Sequence, residues 1–325
     1  MTATSSTNET WKAGNPMRAE LVETELKFKT QGGIDLAATF TIPAGKERAP
    51  AVLLCQGLSG IRNLVLPRVA ETMAERGVAT LRFDYAGYGE SDGPRGWIDP
   101  FARVIDGRYA LATLIGREEV DPNRIGVYGH SYGGPVAIHI AAQETRARTL
   151  AVVSSPGGGT DMLRSTRAEW EWLSLVHRLE IERAAIAAGA PPTVVPLEEI
   201  FPFSPAFASA YAKLKGEGTS AIAAGSGLGT STFHLASIDR MAVFDPESAA
   251  RNLIRCPALF LHGEDDDTAP MSTAASVYRA IPGPKQWHSV PGADHNALDT
   301  EPVLTSVLAK VGDWFDLHLP SIDEF

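Results

Sequence analysis

From Leu21 onward, short apolar runs alternate with stretches whose apolar residues recur at helical spacing. This alternation constrains the fold more than any other feature. Strands that are apolar along their whole length need cover on both faces, and helices in crossover connections between parallel strands supply it. Eight strands are predicted. Val22 to Phe28 and Ile34 to Thr41 flank the turn Gln31-Gly32-Gly33 and should pair as antiparallel neighbours. Ala51 to Cys55, Val78 to Phe83, Arg124 to Tyr128, Leu150 to Ser154, Ala258 to His262 and Lys285 to Val290 complete the set. Helical patterns at Pro67 to Arg76, Pro100 to Gly116 and Ser131 to Glu144 stand between the central runs.

Between Thr160 and Ala249 the alternation stops, and no strand is predicted there. Arg167 to Ala188 places Trp170, Leu173, Val176, Leu179 and Ile186 at helical spacings, Pro191-Pro192 breaks the pattern, and a Phe/Pro-rich stretch, Ile200 to Phe207, follows. Gly225-Ser-Gly-Leu-Gly229 has the spelling of a dinucleotide loop but no preceding strand. A length of 325 residues allows about two units. The expected division is an unstructured segment over 1–21, one sheet domain over 22–159 and 250–318, an insertion over 160–249, and a tail over 319–325.

Composition narrows the function classes. A formal charge of −10 opposes phosphate backbones and anionic headgroups, so neither nucleic acid nor a membrane is an expected partner. No apolar run reaches the roughly 18 residues of a membrane span, and the first twenty residues lack the apolar stretch of a signal peptide. Two cysteines, Cys55 and Cys256, provide neither a disulfide framework nor a four-cysteine metal site. These features lead to the expectation of a cytoplasmic protein with a small-molecule substrate.

Gly129-His130-Ser131-Tyr132-Gly133 falls between a predicted strand and a predicted helix. A serine between glycines at such a junction sits on a sharp, strained turn that lifts its hydroxyl from the sheet edge, the arrangement of a nucleophile. Serine needs a base, and the base needs an acid to orient it and to stabilise its cationic form. Both should follow the last two strands, acid first. His295 lies just past the final strand, whereas His288 falls within that strand and His139 within the helix after Ser131; His262 is expected to close its strand and orient the acid loop. In Glu264-Asp-Asp-Asp267 the H-G-x-x-D reading from His262, with Pro270 four residues on, selects Asp266, with Asp265 and Asp267 as the alternatives. The expected backbone N–H donors for a tetrahedral oxyanion are Tyr132 and, in the loop after the third strand, Leu58, where Gly57 allows close approach. Cys55 reads as the buried end of a strand.

With these residues in place, the sequence resembles the α/β-hydrolase superfamily from about residue 22 to residue 318. Phe83-Asp-Tyr-Ala-Gly-Tyr-Gly-Glu-Ser91 is similar to the family's D-x-R-G-x-G-x-S loop, and Val120 to Gly126 to its lead-in to the nucleophile. Gly57-Leu-Ser-Gly60, Asp92-Gly-Pro-Arg95 and Ala187 to Pro192 resemble the branch of Xaa-Pro dipeptidyl-peptidase-like hydrolases, acetyl-xylan-esterase-like proteins and polyketide transferases. Gln56 replaces the histidine found in many relatives before the oxyanion glycine, and Ala86 the arginine of the D-x-R-G pattern; both affect what is carried over about substrate.

The resemblance implies an α/β fold with a mostly parallel eight-stranded sheet flanked by helices, and a helical cap at 160–249 lying over Ser131. It makes Trp170, Trp172, Phe201, Phe203 and Phe207 candidates for an apolar pocket, with packing inside the cap or against the core as the alternative for each. The expected activity is a serine hydrolase that cleaves an ester, with thioester or amide as further choices, on a small-molecule acyl substrate. No metal or organic cofactor is implied. Serine in place of aspartate argues against dehalogenase and epoxide hydrolase chemistry, and the chain length against a dipeptidyl peptidase. Alternatives are an acyltransferase or polyketide-tailoring enzyme, a carbon–carbon bond hydrolase, and a non-catalytic receptor on the same scaffold. An exposed apolar cap could equally serve as a homodimer surface.

Overall fold

A computed structural model describes residues 20–58, 60–205, 208–209 and 232–320. Eight strands form one sheet: β1 (Leu21–Lys29), β2 (Asp35–Pro43), β3 (Ala49–Cys55), β4 (Ala79–Phe83), β5 (Val120–His130), β6 (Ala147–Val153), β9 (Ala258–Gly263) and β10 (Lys285–Val290), in the order β1-β2-β4-β3-β5-β6-β9-β10. β1 and β2 pair antiparallel, as do β2 and β4, and every other pair is parallel. The Thr30 to Ile34 turn closes the first hairpin through Thr30 N–H donating to Ile34 O at 2.9 Å, with Gly32 and Gly33 at φ of 85° and 79°. β1 starts at Leu21, one residue inside the segment expected to be unstructured.

The period-two alternation of the central strands feeds two separate cores. On one face Leu53, Cys55, Val127, Val152 and Phe260 pack with Leu111 and Leu114 of α2 (Pro100–Ile115) and Val136 and Ile140 of α3 (Gly133–Gln143). On the other, Val52, Leu54, Tyr128, Val153 and Leu261 meet Val69 and Met73 of α1 (Leu66–Glu75) and Val311 and Phe315 of the C-terminal helix Val303–His318. The strand order reverses at β3, which lies between β4 and β5, so the C-terminal ends of β3 and β5 flank a crevice where the crossovers leave in opposite directions.

Between β6 and β9 the described residues include α4 (Gly159–Ser165), α5 (Glu169–Ala187), β7 (Val194–Pro196), α6 (Leu197–Ile200), β8 (Thr232–His234) and two short helices, Ser237–Ala242 and Pro246–Ala250. The expectation of a purely helical, strand-free segment is therefore corrected: β7 and β8 form a two-stranded antiparallel sheet with Val195 opposite Phe233. Three residues are too few to display a period of two. The pair is tied to the main domain, as His234 N–H donates to Gly96 O at 2.8 Å and the His234 ring lies 4.4 Å from that of Trp97.

α5 turns inward a row that shares Leu179 with the one read in the sequence, where Val176 and Ile186 are partly buried and Trp170 and Leu173 exposed. Leu175, Leu179 and Glu182 are buried, with Trp172 partly buried, whereas Leu173 is exposed. The inward row follows i, i+4, i+7 spacing and ends on a carboxylate held by Thr193, whose N–H and Oγ1–H donate to Glu182 at 2.7 and 2.6 Å. A buried glutamate serving the next turn is invisible to a hydrophobic pattern.

The loop after β3 is clamped by a buried cation. Arg62, 4% exposed, pairs with the buried Asp84 through Nη1 and with Glu25 and Glu90 through Nη2 at 2.9 and 2.5 Å. Its own N–H donates to Asp84 Oδ1 at 2.6 Å. Burial works against charge on both partners, and the Asp84–Arg62 attraction keeps the guanidinium charged. Glu25 and Glu90 are solvated and add little. Replacing Arg62 by Met leaves Asp84 buried without its cation, and the expected cost is about 3–5 kcal/mol in urea unfolding. An unchanged unfolding midpoint would contradict this.

Candidate active site

β5 delivers Ser131 to the edge of the sheet. Its backbone has φ 49°, a left-handed conformation uncommon for a non-glycine residue. The turn holds because Ser131 N–H donates to Val153 O at 2.9 Å and Gly134 N–H to Ser131 O at 2.8 Å. The small flanking residues are a steric requirement. A Cβ on Gly129 would stand 2.6 Å from Gly133 O, and one on Gly133 would stand 2.2 Å from Cys55 O. Helix α3 begins two residues later, so its positive end faces the serine.

His295 and Asp266 arrive from the loops after β10 and β9. Ser131 Oγ lies 3.0 Å from His295 Nε2, and His295 Nδ1 lies 2.7 Å from Asp266 Oδ2. The carboxylate acts as acceptor, which puts the imidazole proton on Nδ1 and leaves the Nε2 lone pair facing the serine hydroxyl. The other oxygen of Asp266 accepts the N–H groups of Thr268 and Ala269 at 3.1 and 2.7 Å. Asp266 is 5% exposed, whereas Glu264, Asp265 and Asp267 are exposed, so the crowded acidic loop presents a single carboxylate to His295. His262 stands behind it, its Nε2 2.7 Å from Ala269 O and 3.5 Å from Asp266 Oδ2. Burial lowers the pKa of His262, consistent with a neutral ring that donates to the Ala269 carbonyl.

The loop after β3 closes the crevice beside Ser131. A Cβ on Gly57 would come within 3.2 Å of Ser131 Cβ, so glycine allows the closest approach of this loop. Among the described residues, neither Leu58 N–H nor Tyr132 N–H donates a hydrogen bond. The Gln56 side chain fixes the loop from within, its Oε1 accepting Gly57 N–H at 2.7 Å and its Nε2 donating to Ile61 O at 2.8 Å. Cys55 is fully buried, with its thiol pushed up to about 12 by burial, which removes it as a nucleophile.

The five aromatic candidates separate. Trp170 is 71% exposed, so its expected place in an enclosed pocket is corrected: it sits on the outer face of α5. Phe201 is buried in the core, and Trp172 and Phe203 are partly buried against it. Phe207 and the Gly225 to Gly229 stretch lie outside the described residues.

The fold has counterparts among known proteins. A family model described as serine aminopeptidase, S33 matches residues 46–185, from just before β3 to α5. Over 86% of this chain and 88% of its own length, the thiohydrolase aneE of Aspergillus aculeatus is 26% identical. The acyltransferase drtE of Aspergillus calidoustus is 26% identical over 83% of this chain and 87% of its own. The solved structure of the α/β hydrolase GrgF from Penicillium sp. sh18 superposes with a TM-score of 0.74, covering 92% of this chain and 100% of the other at 20% identity. The chain belongs to the α/β-hydrolase superfamily.

Two groups near the site of this α/β-hydrolase carry no motif. Asp299 sits with its Oδ2 3.2 Å from His130 Nε2, and the His130 ring lies 6.4 Å from that of His295. The other is Arg103, which reaches the Gly57-Leu58 turn from α2. The signal for Arg103 was present, since 103, 107, 110 and 114 share the buried face of that helix and an arginine there demands a polar task.

Burial works against a charged His295, but the Asp266 hydrogen bond and the charges of Asp266, Asp299 and Asp294 outweigh it and hold His295 above its ordinary 6.5. Neutral His295, the form able to accept a proton, therefore dominates only above a midpoint that lies higher than for a free imidazole. In Asp299→Asn one of the raising charges is gone, and the His295 midpoint followed by NMR is expected to move down. A midpoint that stays or rises would contradict the account.

Proposed function

We propose that this protein is a serine hydrolase that cleaves carboxylic esters, with thioesters and amides as related substrates, through an acyl-enzyme on Ser131. The observation that carries the reading is the continuous hydrogen-bonded series from Ser131 through His295 to Asp266, with two open N–H donors beside the serine. Ser131 Oγ attacks the substrate carbonyl while His295 Nε2 takes the hydroxyl proton, and Asp266 stabilises the imidazolium. Negative charge moves to the carbonyl oxygen, where Leu58 and Tyr132 N–H groups and the N-terminus of α3 receive it. The tetrahedral intermediate collapses, the bond to the leaving oxygen, sulfur or nitrogen breaks, and His295 returns its proton to that atom. Water then gives a proton to His295 and attacks the acyl-enzyme; the second tetrahedral intermediate breaks its bond to Ser131 Oγ, His295 returns the proton to that oxygen, and the acid leaves with both residues restored.

Residues 160–249 are read as a cap that selects the acyl group, with Trp172, Phe201 and Phe203 as the remaining described candidates for contact. A relative named thiohydrolase supports including thioesters. One named acyltransferase favours a second reading, in which an alcohol or amine replaces water as the acceptor. Both readings share every step up to the acyl-enzyme.

A panel of p-nitrophenyl esters of rising chain length, followed by thioesters, should reveal turnover in the wild type. Ser131→Ala and His295→Ala are expected to lose at least about a thousandfold in kcat, because the three groups act as a unit. Turnover retained in Ser131→Ala would overturn the proposal. Adding alcohol and amine acceptors decides the second reading: free acid in excess supports hydrolysis, and acyl product in excess supports transfer.

A further inference from the structure

Arg103 is only 2% exposed and lies on α2, away from the loops that carry Ser131, Asp266 and His295. Its Nη1 donates to Gly57 O at 3.0 Å and its Nη2 to Leu58 O at 2.9 Å. The guanidinium carbon stands 4.8 Å from the Tyr85 ring centre, 4.7 Å from that of Tyr88 and 5.9 Å from that of Tyr132. Among the described residues no carboxylate lies within ion-pair distance of it. Placing a cation here is costly, and carbonyl dipoles, aromatic faces and the longer-range attraction of the buried Asp106 carboxylate offset that cost without a direct ion pair. A neutral donor would fix a turn at a smaller penalty. The charge therefore calls for an explanation beyond tethering.

The explanation lies in which atoms are bonded. Gly57 C=O and Leu58 N–H are the two ends of one planar, conjugated peptide unit. A cation donating to the oxygen draws density across the C–N bond and makes the N–H at the far end a stronger donor, as hydrogen bonds in a series polarise one another. Gly60 N–H donates to the same oxygen at 3.1 Å, reinforcing the effect. The Leu58 N–H so polarised is one of the two open donors beside Ser131. The bond to Leu58 O holds the following peptide, so the turn is fixed on both sides of that N–H.

We infer that Arg103 is a positioning residue that orients and polarises the Gly57-Leu58 peptide, so that Leu58 N–H binds the oxyanion of the transition state more strongly than the substrate carbonyl. This rests on the hydrolase reading above. An interaction stronger in the transition state than in the ground state raises kcat and leaves KM nearly alone. A purely structural arginine has no such signature.

The test compares Arg103→Met, which removes the charge, with Arg103→Lys, which keeps it but lacks the fork that reaches two carbonyls. In Arg103→Met, kcat for a p-nitrophenyl ester is expected to fall about 10- to 100-fold, less than the loss of a whole oxyanion donor, with KM changed by less than about threefold. Affinity for a boronic acid that forms a tetrahedral adduct on Ser131 should weaken by the same factor, while affinity for the carboxylic acid product stays. Arg103→Lys should show a smaller loss of the same form, and it carries the test if Arg103→Met does not fold. Folded variants with wild-type kcat, or with boronic acid and product affinity weakened equally, would overturn the inference. A wild type that turns over no ester and does not label at Ser131 with a fluorophosphonate would instead overturn the hydrolase reading, and this inference with it. Wild-type turnover and labelling alongside an unaffected Arg103→Met would overturn this inference alone.

Discussion

Where β5 passes into α3 the chain reverses within three residues, and Ser131 is held there at φ 49°. Such a backbone costs on the order of 1–3 kcal/mol and persists only where its surroundings over-determine it. They do so here. Val153 O on the neighbouring strand receives the Ser131 N–H, Gly133 fits against the carbonyl of Cys55 on the other neighbouring strand, and Gly129 fits under Gly133 and Gly134. The sheet thus stabilises an unfavourable turn, and the turn places one hydroxyl in the crevice between the ends of β3 and β5. The loop after β3, His295 and Asp266 are each placed around that hydroxyl.

Charge in this neighbourhood is arranged in buried pairs and networks. Asp266 is satisfied by His295 and two backbone N–H groups with His262 close behind, Asp299 by His130, and Asp84 by Arg62. Each pairing offsets a burial penalty, and each joins two loops that would otherwise move independently. Arg62 and Arg103 both hold the loop after β3, the first through an ion pair and the second through backbone carbonyls. Arg62 fastens its far end to the segment after β4, and Arg103 holds the Gly57-Leu58 turn from α2.

The parts legible in the sequence are those where chemistry restricts residue type locally. The elbow reads from Gly129-x-Ser131-x-Gly133 because no larger flanking residue fits, and the acid loop from His262-Gly263 because a strand ends there. The eight strands of the main sheet read from continuous apolar runs covered on both faces. Asp299 and Arg103 act on partners far along the chain, so neither belongs to a short pattern. Between β6 and β9 the code weakens: three-residue strands have no period, Glu182 faces inward to serve Thr193, and Trp170 faces solvent although its spacing suited an apolar face. An aromatic residue counted from periodicity alone gives the spacing of a helix but not which neighbour that helix meets.

In the proposed reaction Ser131 Oγ carries the acyl group as a covalent intermediate. The most direct test of this is peptide-mapping mass spectrometry after brief reaction with a fluorophosphonate or a slowly deacylating ester. The account predicts a single adduct on the peptide that carries Ser131, absent in Ser131→Ala. An adduct on any other residue, or equal modification of wild type and Ser131→Ala, would contradict it.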